Sequence, residues 1–531
     1  MVGHVEIERK VEPGPGFVLP DLSTVEGVSA VGEPVEHHLA ATYFDTADLR
    51  LARARITLRR RTGGTDAGWH LKLPAEGFAR QERHHPLGPR RALPPKAVLE
   101  PVLGIVRSVP VGAVATLDTT RVVTTVLGED GRVLAEVADD TVVGTALPAD
   151  PEGAATVTSW REVEVELVDG DEALLDALVA AVVDAGAEPS DSPSKLARVL
   201  ADRLPALSPS ATAKESGKRA KKGGKKKAKA AASASAASTA ADVVLTALRA
   251  QVEALQAADL LVRTGHPDGV HDLRVACRRI RSILAAFRPV LEREATDPLR
   301  EELRWVGAAL SAARDGEVAL AHLRALVDAQ PLEQVRGPVV ARLQTAAVQD
   351  AEAGRRKALR TLADRRYLAV LDALDALLAE PPLAAAAGEP AGPVLARAIR
   401  GSGKRLAERI AAARADEEEI PHEDSALHEV RKAAKRVRYT AEVAVPVLGD
   451  PARALMTAME GVQEVLGAAQ DTVATRDRCL RLGRAAGAAG ESTWTWGRIH
   501  ALEEGRAAAC AAAFWRLEPG LRPVLRAAAT T

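Results

Sequence analysis

Cysteine is scarce in this chain: Cys277, Cys479 and Cys510 are the only three among 531 residues, and they lie far apart. That spacing excludes a disulfide framework and a cysteine-built metal site, and it suits a reducing compartment. Long apolar runs are missing too; none approaches the ~20 residues of a membrane-spanning helix. Glutamates at positions 6 and 8 stand where a secretion signal would carry its apolar stretch. A cytoplasmic protein with no membrane partner is therefore expected.

Net charge is nearly absent, at −1, but the charge is unevenly placed. Residues 214–229, KESGKRAKKGGKKKAK, hold nine Lys or Arg and one Glu, which leaves −9 for everything else. That balance excludes a uniformly basic nucleic-acid coat. The lysine run also lacks an aromatic residue on which a base could stack. It reads as a tether with weak attraction for any polyanion, and specific nucleic-acid binding is not expected.

What is present divides by period. Up to about residue 168 the apolar period is mostly two, in segments such as HVEIERKV, RITLRRRT, GWHLKLP, VLAEVADDTVV and REVEVELV, with Gly/Pro turns between them. This predicts an antiparallel β domain over 1–205, with helices at 171–185 and from Ser194. Residues 206–240 are rich in Ala, Ser, Lys and Gly and predict a flexible linker. From 241 to 525 the period becomes helical and alanine-rich. The expected fold class is multidomain α+β: a β domain first, then an all-α domain.

The charges of the β segments fall in rows. Glu6, Glu8 and Lys10 alternate along one strand, as do Arg59 and Arg61, His70 and Lys72, Glu136 and Asp140, and Glu162, Glu164 and Glu166. Alternate residues share a face. One such row is ordinarily a solvated face, but recurrence on several strands fits a closed barrel with its charges inside. Interior carboxylates would hold a hard cation such as Mg²⁺ or Mn²⁺, and interior Lys and Arg a multi-oxygen anion such as a phosphate chain. No nucleophilic serine or cysteine constellation is apparent, so metal-assisted attack by water is the natural chemistry.

The EIERK opening, YFDT at 43–46, the R-x-R and K strands, REVEVEL and the late Ser194–Lys195 pair resemble a CYTH domain, the triphosphate tunnel metalloenzymes. The resemblance implies an eight-stranded antiparallel tunnel that cleaves a triphosphate with Mg²⁺ or Mn²⁺. By position it implies catalytic roles for Glu6, Glu8 and Lys10. It implies phosphate contacts from Lys10, Arg59, Arg61, Lys72, Arg121 and Lys195, with Arg121 matched by strand context alone. It implies metal ligation by Glu6, Glu8, Asp140, Glu164 and Glu166.

The helical half is written twice. HDLRVACRRIRS begins at His271 and HEVRKAAKRVRY at His428, 157 residues later. His271, Arg274, Arg278 and Arg281 match His428, Arg431, Lys435 and Arg438 at offsets 0, 3, 7 and 10, one narrow helix face. Neither histidine has a second His or Cys at helical spacing, which argues against zinc. A second register, LSAARDGEVAL from Leu310 and LGAAQDTVATR from Leu466, predicts two duplicated helical bundles sharing one basic surface and adds Arg314 to its candidates. Asp315 and Asp471 recur within it. The pattern resembles a CHAD domain, which implies binding of inorganic polyphosphate. The expectation is a metal-dependent hydrolase of a triphosphate, foremost inorganic tripolyphosphate, joined to a polyphosphate-binding module. A non-catalytic polyphosphate-binding protein and a class IV adenylyl cyclase are the alternatives; no adenine-binding element is identifiable for the latter.

Overall fold

A computed structural model describes residues 3–74, 80–88, 93–150, 152–204, 238–419 and 424–530. The chain divides into two compact units, 1–216 and 217–531. The expected linker lies outside the described residues except at its end. There Thr239 caps a helix that starts at Ala240, its hydroxyl and the Asp242 carboxylate each satisfying the other's backbone N–H.

The first unit is one antiparallel sheet of eleven segments. They are β1 (Gly3–Glu6), β2 (Glu8–Pro13), β3 (Ala30–Val31), β4 (Val35–Thr46), β5 (Thr57–Thr62), β6 (Gly68–Pro74), β7 (Arg80–His85), β8 (Val111–Leu127), β9 (Val133–Ala146), β10 (Thr156–Leu167) and β11 (Ala187–Pro189). Their order is β1-β7-β6-β5-β4-β8-β9-β10-β2-β11, with β3 on β8. β1 and β2 are halves of one strand broken at Ile7, and they pair with β7 and β10 respectively. The broken strand therefore joins the two sides of the sheet into a closed tunnel. The expected count of eight is corrected to eleven segments, because that strand is split and the short β3 and β11 are added.

Part of the sheet's outer face is apolar and is covered by a helix. Val137, Val163 and Val165 pack beneath Leu174, Leu175, Leu178 and Val182 of the helix Glu172–Asp184. Each such side chain, once fully buried, contributes roughly 1.5–3 kcal/mol. A second apolar cluster joins Leu196 and Val199 of the short helix Lys195–Val199 to Leu117, Val142 and Ala146 of the sheet. Gly144 permits that approach, since a Cβ there would collide with Val199 and Trp160. The YFDT segment shapes the turn after β4, because buried Asp45 accepts from the backbone N–H of Thr46, Leu51 and Ala52 at 2.7–2.9 Å.

The second unit is all helical, and the duplication extends through it. The helices Gly269–Ala286, Arg293–Ala309 and Ser311–Asp328 have counterparts in Asp424–Leu448 and Asp450–Ala488. The first copy breaks at Leu310, whereas the second runs unbroken through Leu466. The two bundles share one apolar core, with Leu273, Cys277, Ile280 and Leu284 in the same cluster as Val430, Ala434, Val437 and Leu455. Beneath it lies a buried polar knot. Arg263 Nε donates to Asp259 at 2.7 Å, Tyr367 Oη donates to the other Asp259 oxygen at 2.9 Å, and Arg263 reaches the Leu362 carbonyl at 2.7 Å. Asp259→Ala would strand a buried guanidinium, so an expected loss of roughly 3–5 kcal/mol should appear in urea unfolding.

Candidate functional site

Alternation along the closed strands places one row of each strand around a cavity of about 440 Å³. Lys10, Arg59, Arg61, Lys72, Arg121 and Lys195 all line it, together with Glu6, Glu8, Glu164 and Glu166. Asp140 does not; it is fully buried behind the wall. Four lining acids had no assigned role from sequence: Glu33, Asp66, Glu82 and Glu136.

Each cation meets acid partners. Lys10 Nζ lies 2.6 Å from Glu164 and 3.4 Å from Glu8. Lys72 Nζ lies 2.5 Å from Glu6 and 3.7 Å from Glu82, which also stands 3.9 Å from Arg59. Arg61 pairs with Asp66. Arg121 grips both oxygens of Asp140 at 2.6–2.7 Å and Glu164 at 2.6 Å. Such pairing is what makes so many buried charges tolerable. It also means that an incoming anion exchanges partners with carboxylates instead of meeting bare cations.

The electrostatics sort the carboxylates. Burial, reinforced by a hydrogen bond with Glu82, pushes Glu6 up to about 8. Burial also raises Glu166. Burial works against Glu164 too, but Lys10, Lys195 and Arg121 overwhelm it and hold that carboxyl well below its usual range. Glu8 is likewise lowered, burial being outweighed by Lys10 and other cations. His70 is pushed down to about 4 by burial, and its Nδ1 sits 2.5 Å from Glu82.

Two donor sets for a hard cation follow. Asp140, Glu162 and Glu164 offer oxygens within 4.8 Å of one another. The Lys195 ammonium sits among them, at 2.9, 2.5 and 2.7 Å. That set already has its counter-ion. Glu6, Glu8 and Glu166 face the open cavity instead, and the Glu6–Glu82 contact is a pair of carboxyls close enough to share a proton that a divalent ion would replace. All-oxygen donors of this kind fit Mg²⁺ or Mn²⁺.

In the helical unit the two basic faces meet. Arg278 Nε donates to Tyr439 Oη at 3.0 Å, and Arg438 stacks over the same ring at 5.0 Å. Arg274, Arg278, Arg431 and Arg438 all act on Lys435, which burial and that cationic company push down to about 7. Arg438 also contacts Glu460 at 3.1 Å. Arg281 lies further along, near Arg300. His271 is exposed, while His428 is half-buried and held below its usual value by burial and Lys432. The side chains of Arg314 and Asp315 fall outside the described residues. Arg279 and Arg436, matched at offset 8 of both copies, are masked in the sequence by the denser matches at 0, 3, 7 and 10. Glu82 is hidden there too, because RQERHH is too short to show a period.

A family model for the CYTH domain matches residues 4–199, and one for the CHAD domain matches 246–480. Two uncharacterised proteins, from two strains of Mycobacterium tuberculosis, are 36% identical over 533 residues, covering 99% of this chain and 97% of theirs. Among solved structures, PptA from Streptomyces chartreusis is 22% identical and covers 53% of this chain and 100% of its own, with a TM-score of 0.45. The CHAD domain of the plant Ricinus communis is 26% identical over 55% of this chain and 93% of its own, with a TM-score of 0.43. No described helix is long and apolar enough to cross a membrane. With its paired strand rows in one half and its duplicated basic helices in the other, the chain belongs to the family in which a CYTH domain is followed by a CHAD domain.

Proposed function

We propose that the first unit hydrolyses a triphosphate with a divalent metal, foremost inorganic tripolyphosphate, and that the second binds inorganic polyphosphate. One observation carries the first part: six cations and a set of carboxylates converge on a single cavity inside a closed sheet. Glu6, Glu8 and Glu166 would hold Mg²⁺ or Mn²⁺. The bound ion would neutralise charge on the phosphoryl oxygens and lower the pKa of a water. Lys10, Arg59, Arg61, Lys72 and Arg121 grip and align the chain, the guanidiniums by bidentate contact. Their fixed positive charge favours the extra negative charge that builds on the phosphoryl group as its bond breaks. Lys195, anchored by Asp140, Glu162 and Glu164, holds the last cation at a set position. The many carboxylates favour an enzyme over a pure binder, which needs only the cations.

The test is phosphate release by the full chain from tripolyphosphate, thiamine triphosphate and nucleoside triphosphates, with Mg²⁺, Mn²⁺ or EDTA. Fastest turnover of tripolyphosphate that vanishes in EDTA is expected. Full activity in EDTA would refute the metal mechanism.

Polyphosphate binding should depend on pH through Lys435. In the free groove Lys435 is charged below about 7. A bound polyanion keeps it charged to higher pH, so above 7 binding takes up a proton. Affinity should fall above pH 7, at most about tenfold per pH unit. Lys435→Arg should flatten the profile in a fluorescence titration from pH 6 to 9.

A further inference from the structure

The duplication is not symmetric in its charge. Arg279 and Arg436 occupy equivalent positions in the two basic helices, yet they meet different surroundings. Arg279 lies over the Tyr439 ring at 5.6 Å and contacts Glu442 at 3.4 Å. The first copy has Ser282 and Ala285 where the second has Tyr439 and Glu442. Arg436 accordingly finds neither ring nor acid there. Burial, and then the charges of Arg405, Arg300, Arg288 and Arg281, hold its guanidinium below its usual value.

Two side-chain hydrogen bonds accompany this gathering. Arg300 Nε donates to the Arg281 carbonyl at 3.3 Å, which fixes the helix Arg293–Ala309 against the first basic helix. Ser402 and Thr440 meet at 3.3 Å and lock the helix Ala391–Glu419 to the second basic helix, with Arg405 and Arg436 each within about a turn of that contact. Asp297 is taken by Arg288 at 2.8 Å and Arg300 at 2.5 Å, and Glu301 by Arg304 at 2.6 Å. Arg281, Arg405 and Arg436 form no ion pair among the described residues, and the buried Nε atoms of Arg281 and Arg288 have no hydrogen-bond partner. Like charges held together in this way are retained at a cost in stability, which an anion would relieve.

We propose that Arg281, Arg288, Arg300, Arg405 and Arg436 form an end pocket that takes the terminal phosphate of a polyphosphate chain. This rests on the reading that the helical unit binds polyphosphate. An internal phosphate of such a chain carries one negative charge, whereas a terminal one, like a phosphomonoester, carries about −1.5 to −2 at pH 7. The groove between Arg274 and Arg438 presents cations in line, suited to internal phosphates. The pocket gathers five guanidiniums around one place, suited to the more highly charged end. Binding would then have a direction, with the chain end seated at Arg436 and the following phosphates along the duplicated face. The Arg279 side, already neutralised by Glu442, lacks such a seat.

The experiment compares polyphosphate of one length in two forms, free-ended and with both terminal phosphates esterified, on the full chain without added metal. Wild type should bind the free-ended form about tenfold more tightly, the worth of one charge-assisted contact. Arg436→Gln and, separately, the exposed Arg405→Gln should each shrink that ratio towards one while long-chain binding persists. Arg279→Gln should leave the ratio unchanged. Equal binding of both forms by wild type, or an undiminished ratio in both pocket variants, would overturn the end pocket but spare the groove. Failure of wild type to bind either form would overturn the polyphosphate reading itself, and the pocket with it.

Discussion

Glu6→Gln/Glu8→Gln should lower kcat by about 10³-fold or more while the tunnel still binds tripolyphosphate in EDTA. The substitution keeps volume and shape but removes two of the three carboxylates assigned to the metal. Glu6 holds Lys72 at 2.5 Å and Glu8 lies 3.4 Å from Lys10, so their loss takes one carboxylate partner from each ammonium. Metal-free anion binding should therefore hold or strengthen even as turnover collapses. The check is a pair of measurements, kcat across a Mg²⁺ and Mn²⁺ titration and calorimetric binding in EDTA. Turnover near wild type would remove these glutamates from the metal site. Loss of both turnover and anion binding would point to a damaged tunnel, and a melting curve would show it.

The second large effect belongs to the duplicated helices. Replacing Arg274, Arg278 and Arg281 by glutamine should weaken long-chain polyphosphate binding at least tenfold, as should replacing Arg431, Lys435 and Arg438. Both sets together should cost more than either alone. Binding to a linear polyanion releases counter-ions, and each phosphate contact contributes about 0.7 to the slope of log affinity against log salt for a single-stranded chain. Each triple replacement should thus lower the slope by about 2. Arg278 and Arg438 also contact Tyr439, so circular dichroism must show an intact bundle. Salt-insensitive binding of equal strength by wild type and the sixfold variant would mean that this surface is not the binding site. Preference for duplex DNA at equal phosphate concentration would favour a nucleic-acid partner.

Much of this was legible in the residues because the relevant physics is local. A period of two puts Glu6, Glu8 and Lys10 on one face whatever the strand pairs with. A period of 3.6 does the same for His271, Arg274, Arg278 and Arg281. Duplication adds long-range information, since a face that recurs at the same offsets is hard to attribute to a solvated surface. The alternation of apolar and charged positions even indicates which side of the sheet is covered, once the sheet closes.

Pairing across the sheet was not legible, because it depends on register between distant strands. Asp140 faces Arg121 on one side and Glu162 on the other only because β9 lies between β8 and β10 in that register. Glu162 becomes a partner of Lys195, and Asp140 sinks behind the cavity wall, for the same reason. Glu82 joins the site through the pairing of β7 with β6 and β1, which a six-residue segment cannot announce. In the helical unit, residue order shows that Arg279 and Arg436 are equivalent. Only the packing of four helices makes one a neutralised surface residue and the other the centre of an arginine cluster. Charge type and spacing are properties of the chain, whereas the balance of each charge is set by whichever groups the closed sheet and the shared core bring within a few ångströms.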